Sequence, residues 1–140
     1  MKRKYSQKIG IVITMMVCLF MINGCQAERQ STEKLRDMEF TVLAEENIPE
    51  ECKSMIEQKK EEPFKFTYED GQYLYICVGY GKQETGGYSI TVNELYLTEN
   101  AIYVDTNLLG PAADTEKIAA ETYPYVVLKT EYLDRNVVFD

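Results

Sequence analysis

From residue 64 onward the chain alternates apolar and polar side chains with a period of two, a pattern that only a sheet satisfies. Phe64, Phe66 and Tyr68 alternate with Lys65, Thr67 and Glu69. Asp70-Gly71 then supplies the strongest hairpin signal, because glycine accepts a positive φ without steric cost. Tyr73 to Val78 is almost continuously apolar and reads as a central strand. Tyr88, Ile90 and Val92 resume the alternation, and the phase flips at Leu95 and Leu97. One extra residue near Asn93-Glu94 restores it, which predicts a bulge or bend there. Glu99-Asn100 turns the chain into Ile102, Val104 and Thr106, and Gly110-Pro111 ends that run. Pro124 opens a further strand over Tyr125–Thr130, and Val137-Val138-Phe139 predicts a short edge strand.

Upstream, Met38–Leu43 carries a strand pattern, and one helix separates it from the β region. Ile48-Pro49-Glu50-Glu51 starts that helix, with proline in the first turn and acids at its positive end. Cys52, Met55 and Ile56 form one narrow apolar stripe, and Pro63 ends the segment. Residues 112–122 fit a loop or one or two helical turns equally well. Short connections favour antiparallel pairing. The fold class expected is α+β: mainly antiparallel β-sheet with one helix packed on it, preceded by a cleaved signal helix.

The N-terminus is an address. Lys2, Arg3, Lys4 and Lys8 precede an apolar run from Ile9 to Ile22. As a helix this run spans roughly 21 Å, short of the ~30 Å hydrocarbon core, so it reads as a signal peptide. Ile22-Asn23-Gly24-Cys25 resembles a bacterial lipobox. The resemblance implies cleavage before Cys25, which then carries a diacylglycerol thioether and holds the protein at the extracytoplasmic face of the cell membrane. The expected organisation is a lipoprotein signal over 1–24, a lipidated Cys25 with a polar tether over 25–37, and a folded domain over 38–140.

Loss of the four N-terminal cations leaves 11 basic residues against 23 acidic ones. That balance excludes a nucleic-acid binder and points to attachment by lipid rather than by surface charge. The chain has no histidine, the commonest general base and metal ligand. The remaining serines are Ser31, Ser54 and Ser89, with Lys82 the nearest basic partner to Ser89 in sequence, and no nucleophilic arrangement follows. Acid pairs such as Glu45-Glu46 and Glu61-Glu62 read as solvated faces. Neither an enzyme nor a bound cofactor or metal is expected. Cys52 and Cys77 remain as an even pair; a disulfide is open to them but not required, since buried thiols also pack as small apolar residues.

Four of the six glycines after the signal lie in Gly79-Tyr80-Gly81-Lys82-Gln83-Glu84-Thr85-Gly86-Gly87-Tyr88, between two expected strands. A phosphate loop needs a helix after it, so nucleotide binding is discounted. The structural reading is a hairpin loop; the functional one is an exposed loop that docks a partner through Gly81, Thr85, Gly86, Gly87 and Tyr88. A wider tyrosine face (Tyr73, Tyr75, Tyr80, Tyr88, Tyr96 and Tyr103) is a second contact surface to weigh.

Gly79-Tyr80-Gly81, Thr85-Gly86-Gly87-Tyr88-Ser89-Ile90, Tyr123-Pro124-Tyr125-Val126-Val127-Leu128-Lys129 and the terminal Phe139 together resemble the C-terminal domain of PrcB-like proteins, over residues 64–140. The resemblance implies a non-catalytic extracytoplasmic binding module, a lipoprotein accessory subunit of a secreted or surface protease. A glycan or small-molecule binding module, or a protease inhibitor with a glycine loop in the enzyme's cleft, stand as the alternatives.

Overall fold

The computed structural model describes residues 33–140 apart from Thr115 and Lys117. The expected signal helix, Cys25 and most of the tether lie outside the described residues.

The strands are β1 (Arg36–Asp37), β2 (Phe40–Val42), β3 (Pro63–Glu69), β4 (Tyr73–Tyr80), β5 (Ser89–Leu97), β6 (Ala101–Leu109), β7 (Tyr125–Glu131) and β8 (Asn136–Phe139). A short 3₁₀ turn (Glu45–Asn47) and one helix, α1 (Glu50–Lys59), stand between β2 and β3. The strands form two four-stranded sheets, ordered β1-β5-β6-β8 and β2-β7-β4-β3. Pairing is antiparallel except where β8 runs parallel to β6. That exception arises because Tyr132–Arg135 carry the chain from β7 in one sheet to the edge of the other.

Alternation along the strands builds three layers. Leu74, Ile76 and Val78 of β4 and Val126 and Leu128 of β7 meet Leu95, Ile102 and Val104 of the facing sheet. The intervening residues, Tyr75, Cys77 and Val127, point the other way and meet Ile48, Cys52 and Ile56. The second sheet is therefore covered on both faces, which accounts for the unbroken apolar run of β4. Each fully buried aliphatic here, such as Ile76, Ile102 or Leu128, contributes about 1.5–3 kcal/mol of transfer free energy.

Local chemistry sets the boundaries. Gly71 turns the β3–β4 hairpin at φ +88°. Asp70 Oδ1 accepts the backbone N–H groups of Gln72 at 3.0 Å and Tyr73 at 2.8 Å, while Oδ2 accepts the Tyr75 hydroxyl at 3.0 Å. These bonds, the Tyr73 amide foremost, hold the Asp70 carboxyl below its ordinary value. Burial, then the bond to Asp70, pushes the Tyr75 hydroxyl up to about 12. In α1 only Cys52 and Ile56 are fully buried and Met55 is half-buried, so the helix lies on the sheet along the narrow stripe its sequence carries. At the expected bulge the register steps from Val92 opposite Thr106 to Glu94 opposite Asp105. The extra residue, Asn93, donates its side-chain amide to Asp105 at 2.9 Å.

Two details differ from the sequence reading, and one that it left open, over 112–122, is settled as loop among the described residues. Pairing starts at Arg36, inside the segment read as tether, where Arg36 lies opposite Leu97. The Met38–Leu43 run is split: β1 and β2 belong to different sheets, and buried Met38 marks the corner between them. Between Gly110 and Tyr123 no helix forms among the described residues.

Candidate partner-binding site

β4 and β7 are neighbours in one sheet, and β5 and β6 are neighbours in the other. The β4–β5 and β6–β7 connections both cross between the sheets. Gly79, near the end of β4, lies opposite Tyr125 at the start of β7, and Ser89 at the start of β5 lies opposite Leu109 at the end of β6. The two connections, 81–88 and 110–124, must therefore run side by side at the same end.

They are bonded to each other. Gln83 and Thr122 exchange both backbone bonds, at 2.8 and 2.9 Å. The Thr122 hydroxyl donates to the Thr85 carbonyl at 2.8 Å, and the Gly86 N–H donates to the Ile118 carbonyl at 3.1 Å. The Lys82 ammonium sits 2.8 Å from a Glu121 carboxylate oxygen. That hydrogen bond raises the Lys82 pKa and lowers that of Glu121. Both side chains are well exposed, so the pair orders the surface more than it stabilises the fold.

The glycines have distinct duties. Gly87 stands at φ +89°, and a Cβ there would lie 2.8 Å from Pro111 Cβ. Gly86 faces Ile118 and Thr122 at ordinary contact distance, and the Tyr88 ring lies against Gly110. Gly81, at φ +75°, is buried against Pro63 at the base. Thr85, Gly86, Gly87 and Tyr88 thus form one surface, whereas Gly81 shapes the exit from β4. What sequence reasoning missed is the opposite wall: Pro111, Ile118 and Thr122. Ile118 is 70% exposed, a large apolar side chain beside the glycine pair. The available signal was one large apolar residue, Ile118, in a stretch behind Gly110-Pro111 that otherwise holds only alanines and polar residues.

The tyrosines do not form one face. Tyr73 and Tyr75 point to the α1 side of their sheet. Tyr80, of opposite parity, turns inward and bonds Thr106 across the sandwich at 2.7 Å. Tyr96 and Tyr103 stack on each other at 5.2 Å on the other sheet. Strand pleating separates residues that looked adjacent.

Among the described residues no cluster of three or more Cys, Asp and Glu side chains is placed to hold a metal ion. A trough of about 890 Å³ lies along β2, lined by Glu39, Phe40, Thr41, Tyr73, Lys129 and Glu131 among others, well removed in sequence from the paired connections.

The segment running from β4 through both connections to β7 is where the chain meets a known family. Residues 74–131 match the family model described as PrcB C-terminal. The match covers about two-fifths of the chain, and it supports the resemblance drawn from Gly79–Ile90 and Tyr123–Lys129. It begins at Leu74 and ends at Glu131, so the PrcB C-terminal match takes in β4 from its second residue, β5, β6, β7 and both bonded connections, and leaves out β1, β2, α1, β3 and β8. No curated protein and no solved structure matches the chain.

Proposed function

We propose that this protein is a non-catalytic protein-binding module, held by a lipid on Cys25 at the extracytoplasmic face of the membrane. Its contact surface is the pair of connections 81–88 and 110–124. The observation that carries this reading is that the family match centres on those two connections and the four strands that hold them. Features kept together at an exposed end, with an unshielded isoleucine between fixed backbone loops, suit recognition of a protein surface. The resemblance to PrcB-like proteins, which the family match supports, favours a protease, or a complex containing one, as the partner class. The absence of histidine from the sequence supports binding rather than turnover.

Capture on immobilised protein tests the surface. The native protein should retain a polypeptide from the membrane and secreted fractions, and Ile118→Lys should lose it at least tenfold while keeping its melting midpoint. Equal retention by both proteins rejects this surface. Retention of only a glycan, or inhibition of a co-secreted protease, transfers support to the alternative readings. Labelling with radioactive palmitate that is lost in Cys25→Ser tests the anchor; absence of label from the native chain rejects it.

A further inference from the structure

We infer that Cys52 and Cys77 form a disulfide that fastens α1 to β4. Each is 0% exposed, and both belong to the same buried layer between helix and sheet. Cys52 lies on the inner face of α1 with Ile56, and Cys77 lies mid-strand on the face of β4 that the helix covers. Burial pushes both thiols above their ordinary value, with the neighbouring thiol a smaller influence on each. Both are free thiols in this structure.

The position gives the bond a purpose. α1 buries only Cys52 and Ile56 completely, so few apolar contacts hold it against the sheet. A covalent tie there closes a loop of roughly 25 residues and removes conformations from the unfolded chain rather than adding packing. The family match omits α1, so the tie would secure an element outside the matched segment.

The oxidant is a low-molecular-weight disulfide. When α1 lifts, the Cys52 thiolate attacks one sulfur of the reagent and releases its other half as a thiol. The Cys77 thiolate then attacks Cys52 Sγ in the mixed disulfide and releases the second half. One intramolecular S–S bond forms and one reagent S–S bond breaks. The two cysteine protons end on the two released thiols, and two electrons pass to the reagent. Complete burial makes the rate depend on helix opening.

The full chain is incubated with oxidised glutathione under native conditions, its remaining thiols are alkylated, and it is digested with trypsin. The expected product is the peptide ending at Lys53 joined to the peptide spanning 66–82, lighter by two hydrogens than the two thiol peptides together. The melting midpoint should rise by roughly 10–20 °C over the dithiothreitol-treated protein. Neither change should occur in Cys52→Ser or Cys77→Ser. The peptide map of the native chain decides the matter even where a serine variant folds poorly. Recovery of both cysteines alkylated after incubation up to the onset of melting overturns the inference. So does a Cys52 or Cys77 bond found only between chains, or glutathione adducts without the internal bond.

Discussion

Replacing Gly79 by alanine should damage the fold far more than a single methyl group suggests. A Cβ at that position would lie 2.1 Å from Phe64 Cε1, 2.5 Å from Cζ and 2.6 Å from Cδ1. All three distances are well inside the ~3.5–4.0 Å optimum for carbon atoms. The Phe64 ring therefore has to leave its place. It is buried in the α1 layer and stacks on Phe66 with centroids 5.6 Å apart, so moving it exposes apolar surface and opens a gap. Overpacking costs about 1–3 kcal/mol, and complete loss of a buried phenylalanine costs about 3–5 kcal/mol. The expected penalty lies between these, about 2–3 kcal/mol, or a fall of roughly 10–20 °C in melting midpoint for a domain of this size. Urea denaturation followed by circular dichroism measures it as a lower midpoint at unchanged slope. The same substitution in a Phe64→Ala background should cost under about 0.5 kcal/mol, because nothing is left to strike. A penalty that persists without Phe64, or a neutral Gly79→Ala, would show that the Phe64 ring is not what the added methyl strikes.

Gly87→Ala should cost about 1–2 kcal/mol through its left-handed backbone and the Pro111 contact. Hydrogen exchange should accelerate at Gly86 and Thr122 and stay slow at Ile76 and Ile102. Asp70 has a lowered pKa in the folded state, so its contribution is present above the unfolded value of ~3.9 and is lost as pH falls through the folded value. Asp70→Asn should therefore be less stable than the native protein at neutral pH, and the gap between their melting midpoints should narrow below about pH 4. Deleting Asn93 should leave the register of β5 on β6 intact, because Val92 and Glu94 already face consecutive residues of β6; the melting midpoint should fall by no more than about 8 °C.

The strands were legible because each one must satisfy a core on at least one face, so Phe64–Glu69, Tyr73–Val78 and Ile90–Leu97 carry their periodicity openly. The bulge at Asn93 was legible for the same reason, since a one-residue slip inverts every side chain after it. Which strands share a sheet was not legible. Alternation says that Ile102 and Leu128 point inward, but it is silent on whether they lie side by side or face each other. β1 gave no signal, because Arg36 and Asp37 are exposed and polar and enter the sheet only through backbone pairing with Leu97 and Tyr96. The glycine loop was visible, yet its counterpart was not: 110–123 has no period, and its place follows from strand order instead. The six tyrosines share no face because pleating sends residues of opposite parity, such as Tyr75 and Tyr80, to opposite sides of the sheet.

We propose above all that the two bonded connections touch another protein. A photo-crosslinking amino acid at Ile118 tests it most directly, in cells making the full-length protein, with one at Glu57 on the exposed side of α1 as the comparison. Irradiation should give a discrete protein adduct from position 118 and none from position 57. Adducts from both positions alike, or none from position 118 in a chain that is exported and folded, would contradict it.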